Sequence, residues 1–203
     1  MARLNPVELA AMQTRTRRFF QRRWELPAFV GVLARASIDL RGRRVLDAGC
    51  GSGYSTELLW ERFRPSRLVG FDLMPEQIER ARARGVRAAE LRVGDVTRIE
   101  EGDGSFDAVF VFGILHHVPE WRIALVEIAR VLSPRGVLLV QEIHRRGVDF
   151  EDRFLGTEHP QGARFDWPTF RAGLRHAGFE VFDERRLALD FARSFLARKA
   201  DSA

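Results

Sequence analysis

"VLDAGCGSGYSTELLW", residues 45–60, decides the reading of this chain. The apolar run Arg44-Val45-Leu46-Asp47 reads as a buried strand. It ends in Gly49, Gly51 and Gly53, each separated by one residue, and an amphipathic stretch over 55–63 follows at once. Strand, glycine turn and helix in that order point backbone N–H groups at a helix N-terminus, where an anion or polar ligand can sit. Glycine turns the main chain tightly and removes the Cβ that would hold a ligand off. A tight strand-to-helix connection with no ligand is the competing reading. Gly49 and Gly51 match the dinucleotide pattern G-x-G-x-x-G/A, but Tyr54 stands at its third position and the third glycine comes one residue early. No G-x-x-x-x-G-K-[ST] is present, which excludes a phosphate-cradling P-loop.

Outward from that stretch, strand-like apolar runs alternate with helical patterns. Residues 68–71, Ala89–Val93, Phe106–Phe112 and 137–143 read as strands. Pro75–Arg84 reads as a helix with proline in its first turn and Gly85 as its stop. Trp121, Leu125, Ile128 and Leu132 share one helical stripe, and Ser133-Pro134-Arg135-Gly136 reads as the turn after it. Strands apolar on both faces and separated by helices specify a parallel sheet in an α/β fold. Residues 144–164 break the rhythm with Gly147, Gly156, Pro160 and Gly162, and read as an active-site loop or short insertion. A helix over 167–177 and two final paired strands, 179–185 and 190–196, complete the expected order.

The bulk composition sets limits. A chain of 203 residues with 45% apolar residues is expected to fold as one globular domain. Lys+Arg minus Asp+Glu is 33 − 28 = +5, nearly all of it arginine, which fits either an anionic partner or a genome that writes Arg for Lys. One cysteine, Cys50, rules out an internal disulfide framework and a multi-cysteine zinc site. No run of 18 apolar residues exists, and the faint signal-like stretch 26–34 is broken by Pro27, so a cytoplasmic protein is expected.

Two acids follow the glycine turn at the ends of the next strands. Asp72 lies 19 residues past Gly53, where a carboxylate can accept both hydroxyls of a ribose; capping the helix at Pro75 is the alternative. Asp95, in Gly94-Asp95-Val96, can take an exocyclic amine of adenine or serve as a plain N-cap. Together with Val45-Leu46-Asp47-Ala48-Gly49-Cys50-Gly51-Ser52-Gly53, Phe106-Asp107-Ala108-Val109, Leu115-His116-His117-Val118 and the stretch 128–136, these residues resemble the class I S-adenosylmethionine-dependent methyltransferases of the small-molecule, UbiE-like type. The resemblance runs from about Arg43 to the C-terminus. It implies a Rossmann-like, seven-stranded, mostly parallel sheet with helices on both faces and an antiparallel last strand. It implies S-adenosylmethionine across the strand ends: Asp47, Gly49, Cys50, Gly51 and Gly53 toward the methionine part, Asp72 and Leu73 toward the ribose, Asp95 and Val96 toward the adenine, Gly113 and Ile114 beside the sulfonium.

The methyl acceptor is less defined. His116, His117, Glu142, His144 and His159 fall near strand ends or in the loop. Glu142 and His144 alternate on the fifth strand and its exit, so both are expected to face one side as the catalytic or substrate-orienting pair. His117 reads as a catalyst or as scaffold. No set of acids is expected to converge on a divalent metal. The chain after the fourth strand, Phe112-Gly113-Ile114-Leu115, lacks the Pro-Pro-aromatic segment that accompanies methylation of base amines in the family. A small organic molecule or a lipid head group remains.

Residues 1–40 are expected to form an N-terminal helical lid on a core of residues 41–203. Arg15, Arg17, Arg18, Arg22 and Arg23 come with no acid between Ala11 and Gln21, and Met12, Thr16, Phe20 and Trp24 recur at i, i+4. Such a cationic amphipathic helix suits an anionic membrane, through residues 11–25, or a lid that packs Phe20 and Trp24 on the core and turns its arginines to water; nucleic acid is a third reading. The expected function is methyl transfer from S-adenosylmethionine to a small, partly apolar acceptor. Phospholipid head-group N-methylation and a non-methylating cofactor-binding protein, regulator or cyclase, are the alternatives.

Overall fold

The structure, a computed structural model, describes residues 14–86 and 88–200. Its strands are β1 (Arg44–Ala48), β2 (Arg67–Asp72), β3 (Ala89–Val93), β4 (Phe106–Phe112), β5 (Leu132–Ile143), β6 (Phe179–Leu187) and β7 (Ala192–Lys199). They form one sheet in the order β3-β2-β1-β4-β5-β7-β6. The first five are parallel, and β7 runs antiparallel to both neighbours. The sequence order reverses between β1 and β4, so the crevice at the carboxyl ends of these two strands is the topological switch point, where open α/β sheets bind ligands.

Successive residues of β4 point to opposite faces, and both faces are covered. Ala108, Phe110 and Phe112 join Val45, Leu68 and Leu139 beneath α2 (Leu26–Arg35) and α3 (Tyr54–Phe63). Val109 and Val111 join Leu46, Val69 and Leu138 beneath α5 (Trp121–Val131) and α7 (Trp167–His176). This double coverage is why the strands read as near-continuous apolar runs. At the far edge of β1 and β4, away from the switch point, Asp107 accepts from the Arg44 backbone N–H at 2.9 Å and pairs with its guanidinium at 2.8 Å. Arg67 bridges Glu90 and Glu101 in the same way between β2 and β3, so much of the arginine excess is spent on internal ion pairs.

The helices start and stop as their residues demand. Proline opens α4 (Pro75–Arg84), and Gly85 closes it in the left-handed conformation at φ 79°. The Asp166 carboxylate caps α7 by accepting from the Thr169 N–H at 2.8 Å. Leu132 still pairs with Phe106 before the turn at 133–136, and pairing resumes at Val137.

Two expectations change. The segment read as a loop, 144–164, contains α6 (Arg145–Phe154), whose N-cap is the His144 imidazole, accepting from the Arg146 N–H at 3.1 Å. Its apolar side chains form no core-facing stripe, because Val148 is buried while Phe150 and Phe154 are exposed. The lid expected over residues 1–40 also divides. α1 (Arg15–Phe20) runs through a π-helical turn (Gln21–Glu25) into α2, and α2 is core: Phe29 is fully buried against Phe110 and Phe112 at 5.7 and 5.2 Å between ring centroids. Met12 lies outside the described residues.

Where α5 and α7 cross, a Cβ on Gly173 would lie 2.3 Å from Cζ3 of the buried Trp121. Alanine is the better helix former by about 1 kcal/mol. The clash outweighs it, since overpacking a tight core costs about 1–3 kcal/mol. Gly173→Ala is therefore expected to lower the thermal midpoint; an unchanged or higher midpoint in a melting experiment contradicts this packing.

Candidate functional site

The glycine turn is a built loop, and its three glycines do different things. All have positive φ: 75° at Gly49, 52° at Gly51 and 80° at Gly53. A Cβ on Gly49 would sit 2.7 Å from two carbons of Ile114, and one on Gly53 would sit 2.8 Å from the Ala81 Cβ. These two glycines admit other parts of the protein. Only at Gly51 does the Cβ position meet nothing within 4 Å. Of the three, Gly51 is the one whose missing Cβ leaves open space.

Acids from neighbouring strand ends hold the loop. Asp72 accepts from the Gly51 N–H and the Met74 N–H, both at 3.0 Å, through different oxygens. Each oxygen keeps a lone pair for a further donor. Asp47, fully buried, accepts from the Ser55 and Thr56 hydroxyls at 2.7 Å through Oδ2, and its Oδ1 has no partner among the described residues. Burial pushes the Asp47 carboxyl up to about 6, the two hydroxyls pull it down, and the Asp72 charge pushes it up further. The buried Gln77 Oε1 is likewise without a partner among the described residues. Gly49, Gly51, Ser52 and Gln77 line a small cleft. Two orphaned buried acceptors and an open Gly51 fit a ligand with a cationic, hydrogen-bond-donating end, such as the ammonium of S-adenosylmethionine. Asp95 makes an Asx turn, accepting from the Thr97 N–H and hydroxyl at 2.8 Å, and Val96 is buried in the core. Leu73 is half-buried beside Asp72. Cys50 is buried, and burial with the nearby Asp47 and Asp72 charges raises its thiol well above the usual range.

A second cavity, of about 590 Å³, opens on the other side of β4. Gly113 and Glu142 line it beside three imidazoles. Glu142 is fully buried at the end of β5; its Oε1 accepts from the Ile114 and Leu115 N–H groups at 3.0 and 2.7 Å, and its Oε2 lies 2.7 Å from His116 Nδ1. Burial pushes Glu142 up to about 8, against the lowering effect of those N–H groups. Burial, then the neighbouring His159 and Arg17, pushes His116 down to about 3; burial and His116 depress His117 further. His159 comes from the loop after α6 and is set by Asp152, which meets His159 Nδ1 at 2.6 Å and also accepts from Thr157 and Arg164. The three rings pack with centroids 4.2, 4.5 and 5.3 Å apart, and their ligating atoms lie within 4.8 Å of one another.

Glu142 and His144 are not brought together as expected. The backbone turns after Ile143, so His144 caps α6 and packs on Trp167 at 5.3 Å while Glu142 points under β4. His117 does reach the cavity. The convergence of imidazoles is not legible in the sequence, although its parts are: the adjacent His116-His117 pair, and His159 seven residues after Asp152. No metal site is expected from the sequence, because no set of acids converges; the tertiary structure instead gathers three histidines that could hold an ion.

α1 lies over both cavities. Phe20 and Trp24 line the larger one and remain about half exposed, at 46% and 47%. The arginines do not all face water. Arg17 lines both cavities, pairs with Glu25 and donates to the Phe112 carbonyl at 3.4 Å; Arg18 lines the smaller and sits over the Tyr54 ring. Arg22 and Arg23 are exposed. No helix among the described residues is long and apolar enough to cross a membrane.

Residues 46–140 match a family described as a methyltransferase domain. The chain is 29% identical over 159 residues to the fatty-acid O-methyltransferase of Mycolicibacterium smegmatis, covering 78% of this chain and 52% of that protein. It is 34% identical over 128 residues to a ubiquinone biosynthesis O-methyltransferase of Xanthomonas oryzae, covering 61% of this chain and 53% of that protein. The chain thus spans about half the length of these relatives. An S-adenosylmethionine-dependent methyltransferase from Aquifex aeolicus superposes with a TM-score of 0.76 at 17% identity, covering 98% of this chain and all of that one. The [4+2]-cyclase SpnF superposes with a TM-score of 0.70 at 22% identity, covering 87% of this chain and 81% of that one, so the fold alone does not fix the reaction.

The division of labour among the glycines is open to test. Gly49→Ala, forced against Ile114, is expected to lose about 2–4 kcal/mol of stability. Gly51→Ala meets no neighbour and carries only the left-handed strain, about 1–2 kcal/mol, so it should lower the melting midpoint less than Gly49→Ala yet bind S-adenosylhomocysteine at least tenfold more weakly by calorimetry. Equal effects of the two substitutions contradict the separate roles. Asp47 carries a pH dependence. Its folded pKa near 6 lies above the unfolded value near 3.8, so the fold favours the uncharged carboxyl. Stability is full below about pH 4 and falls as the pH rises through 6, by about 3 kcal/mol. Measured against Asp47→Asn in ligand-free protein, the wild type should lose ground over that window; parallel pH–stability curves contradict the assignment.

Proposed function

We propose, for a chain that belongs to the class I S-adenosylmethionine-dependent methyltransferases, methyl transfer to an oxygen of a small, partly apolar organic acceptor. The observation that carries this reading is the 590 Å³ cavity across β4 from the glycine loop, with apolar walls from Phe20, Trp24, Leu155 and Leu187 and a polar floor of histidines. Such a shape takes an apolar skeleton on its walls and a hydroxyl or carboxyl on its floor. The names of the relatives, a fatty-acid and a ubiquinone-pathway O-methyltransferase, support oxygen as the acceptor atom.

S-adenosylmethionine supplies a sulfonium methyl that passes in line to a nucleophile. The chain's own part is positioning and exclusion of water. Asp47 Oδ1 and Gln77 Oε1 are the acceptors that would take the ammonium end, Gly51 the open backbone, and Asp72 the carboxylate that would take the ribose hydroxyls beside the loop donors it already holds. Asp95, Val96 and Leu73 bound the adenine side. Gly113 and Ile114, between the two cavities, border the transfer point. His117 lines the acceptor cavity, and burial keeps its ring neutral, so it can hydrogen-bond an acceptor hydroxyl without competing for its proton. α1 acts as the lid: Arg17 spans both cavities, and the aromatic pair walls the acceptor.

The test supplies cofactor with a medium-chain fatty acid, a catechol-type phenol, or phosphatidylethanolamine vesicles, and reads S-adenosylhomocysteine and product by mass spectrometry. A methyl ester or ether from a soluble acceptor is expected. Methylated amine from vesicles alone, or cofactor binding with no turnover on any acceptor, overturns the reading in favour of a lipid N-methyltransferase or a non-methylating protein. Phe20→Ala/Trp24→Ala should raise the acceptor KM about tenfold, because two apolar walls no longer shield the acceptor from water, and leave cofactor affinity within twofold.

A further inference from the structure

His116, His117 and His159 meet on the floor of the acceptor cavity, all three buried, with ligating atoms within 4.8 Å of one another. We infer that these imidazoles hold a divalent transition-metal ion of the zinc or cobalt type, with an open position toward the acceptor.

Three imidazoles suit such ions, and three protein ligands with one open position are the arrangement of reactive rather than structural zinc sites. A tetrahedral ion about 2.1 Å from each nitrogen needs nitrogens about 3.4 Å apart. The rings must therefore draw in by about an ångström, which side-chain rotation and the loop carrying His159 supply. The outer layer is already in place. Metal-binding histidines almost always tie their other ring nitrogen to a carboxylate or carbonyl. Here Nδ1 of His116 meets Glu142 at 2.7 Å and Nδ1 of His159 meets Asp152 at 2.6 Å, which leaves Nε2 of each as the ligating atom. Both carboxylates are themselves anchored, Glu142 by two backbone N–H groups and Asp152 by Thr157 and Arg164. Glu151 Oε2 lies 3.9 Å from His159 Nε2 and lines the same cavity, within reach of the open position. The positive Arg17 facing the cluster is paired with Glu25.

An ion there deepens the proposed function and, for its activating role only, rests on it. An acceptor hydroxyl bound to the metal loses its proton to water more readily. Its oxygen lone pair then forms the O–C bond as the C–S bond breaks, and the sulfur leaves as a neutral thioether. Binding of the ion does not depend on that reading.

The experiment uses untagged full-length protein, stripped with chelator and titrated with Co²⁺, read by visible absorption, with zinc stoichiometry by elemental analysis. One equivalent per chain with the bands of four- or five-coordinate cobalt is expected. His117→Ala and His159→Ala should each weaken Co²⁺ binding at least a hundredfold, and Asp152→Asn about tenfold to a hundredfold. S-adenosylhomocysteine binding and melting midpoint, measured on each metal-free variant, show that it is folded. No absorption band, or an equivalent still bound by the His117→Ala/His159→Ala variant, overturns the site. With the site loaded, transfer to a hydroxyl acceptor that falls at least tenfold on chelation and returns with zinc supports the activating role. Transfer unaffected by chelation overturns that role, whereas a loaded site with no transfer to any acceptor counts against the proposed function and not against the metal.

Discussion

The carboxyl of Glu142 joins the two halves of the site. It is fully buried at the end of β5, and it gathers the N–H groups of Ile114 and Leu115 and the ring of His116. Those bonds fix the turn that leaves β4. Ile114, held in that turn, presses on the space where Gly49 lacks a Cβ. The glycine loop on one side of β4 and the histidine floor on the other are thus set by one buried group. A single buried polar tie of this kind is costly to break, because its loss leaves several unpaired backbone donors.

Negative charge is concentrated at the carboxyl ends of β1 and β2. Asp47 and Asp72 sit at adjacent strand ends, each raised by burial, with one Asp47 oxygen unmet. Two such acids are unfavourable in the empty protein. Stability is given up at the strand ends where a positively charged group can restore it, as functional sites commonly do.

α1 adds what the sheet cannot supply. The sheet positions donors and acceptors at one edge, but its strand ends alone leave them open to water. α1 and the π-helical turn cover that edge with Arg17 and Arg18 on the loop side and Phe20 and Trp24 on the histidine side. Their anchor is α2, whose Leu26, Phe29, Val32 and Leu33 belong to the core.

The sequence by itself determined the architecture and the order of acids and glycines along the strand ends. Strand and helix periodicities, Gly85 as a stop and the apolar runs over Phe106–Phe112 and 137–143 are local signals, and a sheet buried on both faces writes them plainly. The acids at strand ends, Asp47 and Asp72, follow from the same local order. Only the tertiary structure decided which glycine leaves open space where its Cβ would be, because Gly49 and Gly53 owe their identity to Ile114 and Ala81, distant in sequence. It separated His144 from Glu142, since a helix cap turns the chain after one residue, and it found α6 where polar composition suggested a loop. It also brought His159 onto His116 and His117. That meeting depends on the Asp152 clamp and on the path of α6, and no periodicity along the chain encodes an approach between residues so far apart in it.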